Sequence, residues 1–203
     1  MMVDAVPVWV RLGEGFRLDR EAVERAINKK TKAILFCNPN NPTGTSFTQK
    51  EIESLAELAL KHDLLLISDE VYRKLYYDDK VHFSMGSIPE IRDRTIIIDS
   101  FSKTYAMTGW RIGYLATTSG LAEPPFVIHK SALLSVGGPT QRAALAALRG
   151  PQDCVRDMLA EFDRRRKAII KKLTEIHGFS CVIPDSTFYF FGRYEADIKS
   201  AEM

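Results

Sequence analysis

The stretch TIIIDSFSKTYAMTGWRIGYLAT, residues 95–117, sets two strand-like runs on either side of a polar connection that carries a lysine. Thr95 to Ile98 is short and unbroken, the pattern of a strand buried on both faces, and Gly113 to Thr117 reads as another strand. Ser100, Ser102 and Lys103 follow directly on the first run, and Arg111 comes eight residues after the lysine. An amine at the end of a buried strand can form a Schiff base with a carbonyl. Neighbouring hydroxyls and a planar guanidinium can hold phosphate oxygens.

Outward from this stretch, the chain alternates strand-like and helix-like segments. Val6 to Val10 is expected to be a short strand, and Ala33 to Cys37 and Leu64 to Ile67 are expected to be buried ones. Asp19 to Lys29 has helical spacing with Asp19 placed as N-cap, and Thr48 to His62 opens on a capping-box pattern, Thr48 with Glu51. Pro139 to Arg149 reads as an Ala-rich helix. Pro151 to His177 reads as a long one, striped by Val155, Leu159, Phe162, Ile169, Leu173 and Ile176. Phe179 to Tyr194 reads as strands around a bend at Pro184 and Asp185. Apolar strands alternating with helices indicate a parallel or mixed sheet covered on both faces. The change of character near Pro151 divides the chain into 1–150 and 151–203.

Composition narrows the function classes. Of 203 residues, 45% are hydrophobic and 27% charged, an ordinary globular mix. Twenty-eight basic against 26 acidic residues leave +2, too little to argue for a nucleic-acid partner or an acidic membrane surface. The run Arg164 to Lys167 reads as a solvated helix face. Cys37, Cys154 and Cys181 have no metal-ligand spacing and are expected to be reduced, buried thiols of a cytoplasmic protein. No signal peptide and no membrane-spanning run is read.

Three strands each end in polar residues: Asn38 to Gly44 (NPNNPTG) after the first, Ser68-Asp69-Glu70-Val71-Tyr72 after the second, and Asp99, Ser100 and Lys103 after the third. Parallel strands deliver the loops that follow them to one sheet edge, so Asn41, Asp69 and Lys103 are expected to converge there. Singly, each has an ordinary reading. NPNNPTG is a turn by composition, Asp69 a helix N-cap, and Tyr72 a packing residue. Lys103 is a surface charge, and Arg111 a stack on Trp110. Only their joint order points to one site.

That order, Asn-Pro-Thr-Gly, then Asp-x-x-Tyr, then Ser-x-Ser-Lys with Arg eight further on, resembles the signature regions of fold type I, class I/II aminotransferases in the aspartate/aromatic/alanine-type branch. The resemblance implies an α/β fold: part of a large domain over 1–150, with a central, mostly parallel sheet and helices on both faces. Over 151–203 it implies an interdomain helix and the start of a small α+β C-terminal domain. It implies pyridoxal 5′-phosphate as cofactor and transamination between an amino acid and a 2-oxo acid, with no nucleic acid or membrane partner and a homodimer in full-length members. Lys103 would carry the Schiff base and move the proton between substrate Cα and cofactor C4′. Asp69 would pair with the ring nitrogen, and Asn41 and Tyr72 with the phenolic oxygen. Ser100, Ser102 and Arg111 would bind the phosphate, and the Asn41–Pro42 bond would be cis. Members are longer, so the chain is expected to be a fragment. The alternatives kept open are a catalytically silent fragment or cofactor-binding module, and another reaction on the same cofactor, such as β-elimination.

Overall fold

Three strands lie side by side and parallel, β1 (Ala33–Cys37), β2 (Leu65–Asp69) and β3 (Thr95–Ser100), in a computed structural model that describes residues 4–195. The connection after β3 brings the chain back antiparallel as β4 (Gly113–Ala116), with Gly113 opposite Ser100. The sheet is therefore mixed, in the order β1-β2-β3-β4. Register places Cys37 opposite Asp69 and Asp69 opposite Ile98, so the polar ends of all three parallel strands share one edge.

One sheet face is closed by α1 (Arg20–Ala26) and α2 (Gln49–His62). Ile52, Leu55, Leu58 and Ala59 of α2 meet Val23 and Leu66, all buried, to make the main core. The start of α2 is fixed by its sequence. Thr48 Oγ1 accepts from the Glu51 amide at 3.3 Å, and Glu51 Oε2 accepts from the Thr48 amide at 2.7 Å. The other face is only partly covered. Helix α4 (Ser119–Leu133) lies over Leu65 and Ile96 across a cleft of about 520 Å³ and buries none of its own residues. Beside it, Leu35 is 70% exposed, and Ile98 and Leu115 are open as well. The expectation of strands buried on both faces thus holds for only part of the sheet.

After β3 come the short α3 (Phe101–Thr104) and, later, α5 (Gly138–Arg149), whose Ala144 packs on Phe101 and Met107. Helix α6 (Asp153–Thr174) leads to a separate two-stranded ribbon of β5 (Phe179–Cys181) and β6 (Gly192–Tyr194). The segment between those strands docks back on the larger sheet's loops. Thr187 N donates to Leu75 O at 2.8 Å and Tyr77 N to Asp185 O at 3.0 Å, forming a bridge at Tyr76 and Ser186.

Several expectations are corrected. Residues 6–10 form no strand: no strand among the described residues pairs with them, and Val6 and Trp9 stand in the open. Residues 119–133 are helical although Pro124 and Pro125 interrupt the pattern from which a helix would be read. The stripe expected over Pro151 to His177 is only partly inward: Val155 is buried, Ile169 is exposed, and the exposed Ile176 lies beyond the end of α6. The basic run is not uniformly solvated either. Arg166 turns inward and is 8% exposed, its Nη2 bonding both oxygens of Asp78 at 2.8 Å and its Nη1 donating to Pro184 O at 2.9 Å. Its guanidinium also stacks on Tyr77 at 4.5 Å. Of the three free cysteines, Cys154 is exposed rather than buried.

Two stability predictions follow from these contacts. Thr48→Ala removes the cap of α2 and is expected to lower unfolding free energy by about 1 kcal/mol in urea titration. Arg166→Leu leaves the Pro184 carbonyl and the Asp78 carboxylate without that donor and is expected to cost about 2 kcal/mol by the same measurement, more than Arg164→Leu on the exposed face.

Candidate active site

The first wall of the site is the loop after β1. Its backbone folds on its own side chains: Asn38 Oδ1 accepts from Phe47 N at 2.8 Å, and Asn40 Oδ1 accepts from the Thr43 hydroxyl at 2.9 Å. Asn38–Pro39 and Asn41–Pro42 are both cis, the second as expected. The loop closes at Gly44, whose φ of +71° and close neighbours admit no side chain. A Cβ there would lie 2.7 Å from Pro184 Cβ and 2.7 Å from Tyr189 O. Asn41 stays on the exposed rim, with Nδ2 3.5 Å from Tyr72 Oη.

The second wall follows β2. Asp69 ends the strand, and its Oδ1 accepts from Val71 N at 3.2 Å. Its Oδ2 makes no hydrogen bond among the described residues. Burial pushes the Asp69 carboxyl above the usual carboxylate range, and the charges of Asp99 and Glu70 add to that push. Behind it, Glu70 is fully buried and fully bonded. Its Oε1 accepts from the Ser68 hydroxyl at 3.0 Å and the Ser84 hydroxyl at 2.9 Å, and its Oε2 lies 2.7 Å from His82 Nε2. This network holds the turn from which Tyr72 projects. Tyr72 is buried, and burial, followed by a hydrogen bond with Tyr189, drives its phenol far above the usual range. Its hydroxyl therefore stays protonated at neutral pH.

The third wall follows β3. Asp99 is buried and anchors the strand end: Arg73 Nε pairs with its Oδ2, the Tyr114 hydroxyl donates to the same oxygen at 2.7 Å, and Oδ1 accepts from Ser100 N at 2.6 Å. Ser100 Oγ lies within bonding distance of both Ser102 Oγ (2.8 Å) and Ile112 O (3.1 Å). Lys103, half-buried on α3, places Nζ 5.3 Å from the centroid of Phe188 and 5.9 Å from that of Tyr72, and forms no ion pair among the described residues. Arg111 sits just before the residue bonded to Ser100, with its own φ at +52°. It is exposed and donates from Nη1 to Thr108 O at 2.9 Å.

The structure thus brings Asn41, Tyr72 and Lys103 into one cluster and Ser100 and Ser102 into another on the next turn. Asp69 lies at the same sheet edge, while the Arg111 side chain bonds its own loop. Sequence reading missed Tyr189 and Phe188, which close the cluster from the far end of the chain. The aromatic run Phe188-Tyr189-Phe190 was the available signal. Cys37, expected as a reduced, buried thiol, lies opposite Asp69 and is half-buried; its thiol is pushed up to about 11 by burial, with Asp69's charge as a smaller cause.

The chain as a whole has counterparts among known proteins. The family profile "Aminotransferase class I and II" matches residues 2–202, and the chain belongs to that family. The aspartate aminotransferase of Bacillus subtilis (strain 168) is 41% identical over 180 residues, covering 87% of this chain and 45% of that protein. The aspartate aminotransferase of Geobacillus stearothermophilus is 39% identical over 196 residues, covering 94% and 49%. The crystal structure of an aromatic aminotransferase from Pyrococcus horikoshii OT3 superposes with a TM-score of 0.88 at 38% identity, covering 92% of this chain and 50% of that one. The chain spans about half the length of the relatives it matches.

The Asp69 carboxyl generates a pH prediction. Its folded pKa is raised, so the stability tied to it is fully present below its unfolded pKa and is lost as pH rises through the folded value. Asn mimics the protonated form. Without cofactor, Asp69→Asn is expected to melt higher than the native chain at neutral pH and equally at about pH 3. Equal melting at both pH values would contradict the assignment.

Proposed function

We propose that this chain is the lysine-bearing part of a pyridoxal-phosphate-dependent aminotransferase that moves an amino group between an amino acid and a 2-oxo acid. The observation that carries this reading is the meeting of Lys103, Tyr72 and Asn41 at the edge where Asp69 ends its strand. When bound, pyridoxal phosphate supplies an aldehyde carbon for the amino group and a protonated ring that withdraws electrons from the substrate Cα.

The donor set fits that group. Asp69 has one oxygen on a backbone amide and the other open, and its anion is poorly solvated. With that open oxygen, the Asp69 carboxylate would pair with a ring N–H⁺ and keep the proton on the ring, and its own desolvation would be relieved. The Tyr72 hydroxyl, held protonated, and Asn41 Nδ2 are both able to donate to a phenolate oxygen. Ser100 and Ser102 offer hydroxyls to a phosphate, and Arg111 offers a planar fork once it turns from Thr108 O. Lys103 Nζ, free of ion pairs among the described residues, would hold the aldehyde carbon and, once displaced from it by the substrate's amino group, would be the free amine that carries the proton between substrate Cα and the cofactor carbon C4′.

In this reading residues 1–150 are part of a large cofactor domain and 151–203 an interdomain helix with the start of a small domain. The two separate sheets support that division, although 196–203 lie outside the described residues. The substrates are an amino acid and a 2-oxo acid, and the assembled enzyme is a cytoplasmic homodimer. No helix among the described residues is long and apolar enough to cross a membrane.

The test is direct. Purified chain mixed with pyridoxal phosphate is expected to develop an absorbance band distinct from that of free cofactor, and Lys103→Ala is expected to abolish it. Failure of the native chain to change the spectrum would remove the cofactor reading. Conversion of that band by an added amino acid, and its return with a 2-oxo acid, would separate transamination from other reactions on the same cofactor.

A further inference from the structure

Tyr72 Oη has one proton and two lone pairs, and two neighbours compete for them. Asn41 Nδ2, at 3.5 Å, can only donate. Tyr189 Oη, at 2.7 Å, can donate or accept. If Tyr72 gives its proton to Tyr189, it has no donor left for a cofactor. If Tyr189 gives its proton to Tyr72, both lone pairs are filled and Tyr72's own proton points to whatever anion lies on the open side. Resting on the cofactor reading above, we propose that Tyr189 is a positioning residue: it donates to Tyr72 and so directs the Tyr72 proton to the phenolic oxygen of the cofactor.

The surroundings of Tyr189 suit that duty. Its ring meets Tyr72 edge-on at 5.6 Å between centroids and packs on Phe188 at 4.8 Å. Its amide donates to Thr187 Oγ1 at 3.1 Å, and Tyr72 is the hydrogen-bond partner of its hydroxyl. The segment carrying it is pinned to the first wall of the site. Gly44 O accepts from Asp185 N at 3.1 Å, Ser186 N at 3.0 Å and Ser186 Oγ at 2.9 Å. The missing side chain at Gly44 is what lets this segment approach, since a Cβ would strike Tyr189 O. A residue 117 positions beyond Tyr72 is thereby held in one place against its hydroxyl.

The experiment uses the full 203-residue chain loaded with pyridoxal phosphate and follows the pH midpoint of the bound cofactor's absorbance. A donor to the phenolic oxygen draws negative charge from it, so that the oxygen holds the neighbouring proton less tightly and the midpoint falls. Tyr189→Phe keeps the ring and removes the donor, and is expected to raise the midpoint by about half a unit to one unit, roughly a three- to tenfold change in proton affinity. Tyr72→Phe is expected to raise it further, and the double variant to match Tyr72→Phe alone. With 3-deoxypyridoxal phosphate, which lacks the oxygen, the loss of cofactor affinity caused by Tyr189→Phe should vanish. A purely structural role would instead lower affinity for both cofactors and add to Tyr72→Phe. An unchanged midpoint in Tyr189→Phe, or the same shift with and without Tyr72, overturns the proposal while leaving the cofactor reading intact. A native chain with no cofactor absorbance overturns both. Should Tyr189→Phe fail to fold, Tyr189→Leu enters the same comparison.

Discussion

Parallel pairing in register, with Cys37 opposite Asp69 and Asp69 opposite Ile98, is the constraint on which the site depends. Each strand ends in polar residues that a buried sheet cannot carry further, so each chain segment leaves the sheet at the same level and on the same edge. The three loops then meet because their strands do. Asp69 owes its position to this register rather than to the hydrogen bonds of its own side chain, which make one short-range contact to Val71. Slipping β2 by one residue would turn Asp69 to the other face and bring Ser68 or Glu70 into its place.

What the register brings together, buried polar networks hold still. Glu70, beneath the second loop, and Asp99, beneath the third, are each saturated with donors. Their role is to let neighbouring residues be underbonded. Asp69 and Lys103 keep unused capacity because Glu70 and Asp99 take up the local hydrogen-bonding demand of the turns.

The parts legible in the sequence were those whose signals are local. The capping box at Thr48 and Glu51, the runs at Ala33 and Thr95, and the lysine after Ser100 and Ser102 each announce themselves within a few residues. The parts that were not legible depend on distant partners. Arg166 reads as one charge among four until Asp78, 88 residues earlier, meets it. Tyr189 is one ring of an aromatic run until its hydroxyl meets Tyr72. Val6 to Val10 has strand composition but no neighbour to pair with, and α4 hides its helix behind Pro124 and Pro125. Local propensity proposes elements, and pairing decides among them.

The inward turn of Arg166 has a mechanical consequence. Its guanidinium joins α6 to Asp78, in the loop beyond Tyr72, and to the carbonyl of Pro184, just upstream of Tyr189. A tilt of α6 cannot be absorbed at that junction without loss of the bonds, so it travels into the segment resting on Gly44. The long helix then acts as a lever whose short arm ends at the Tyr72–Tyr189 contact.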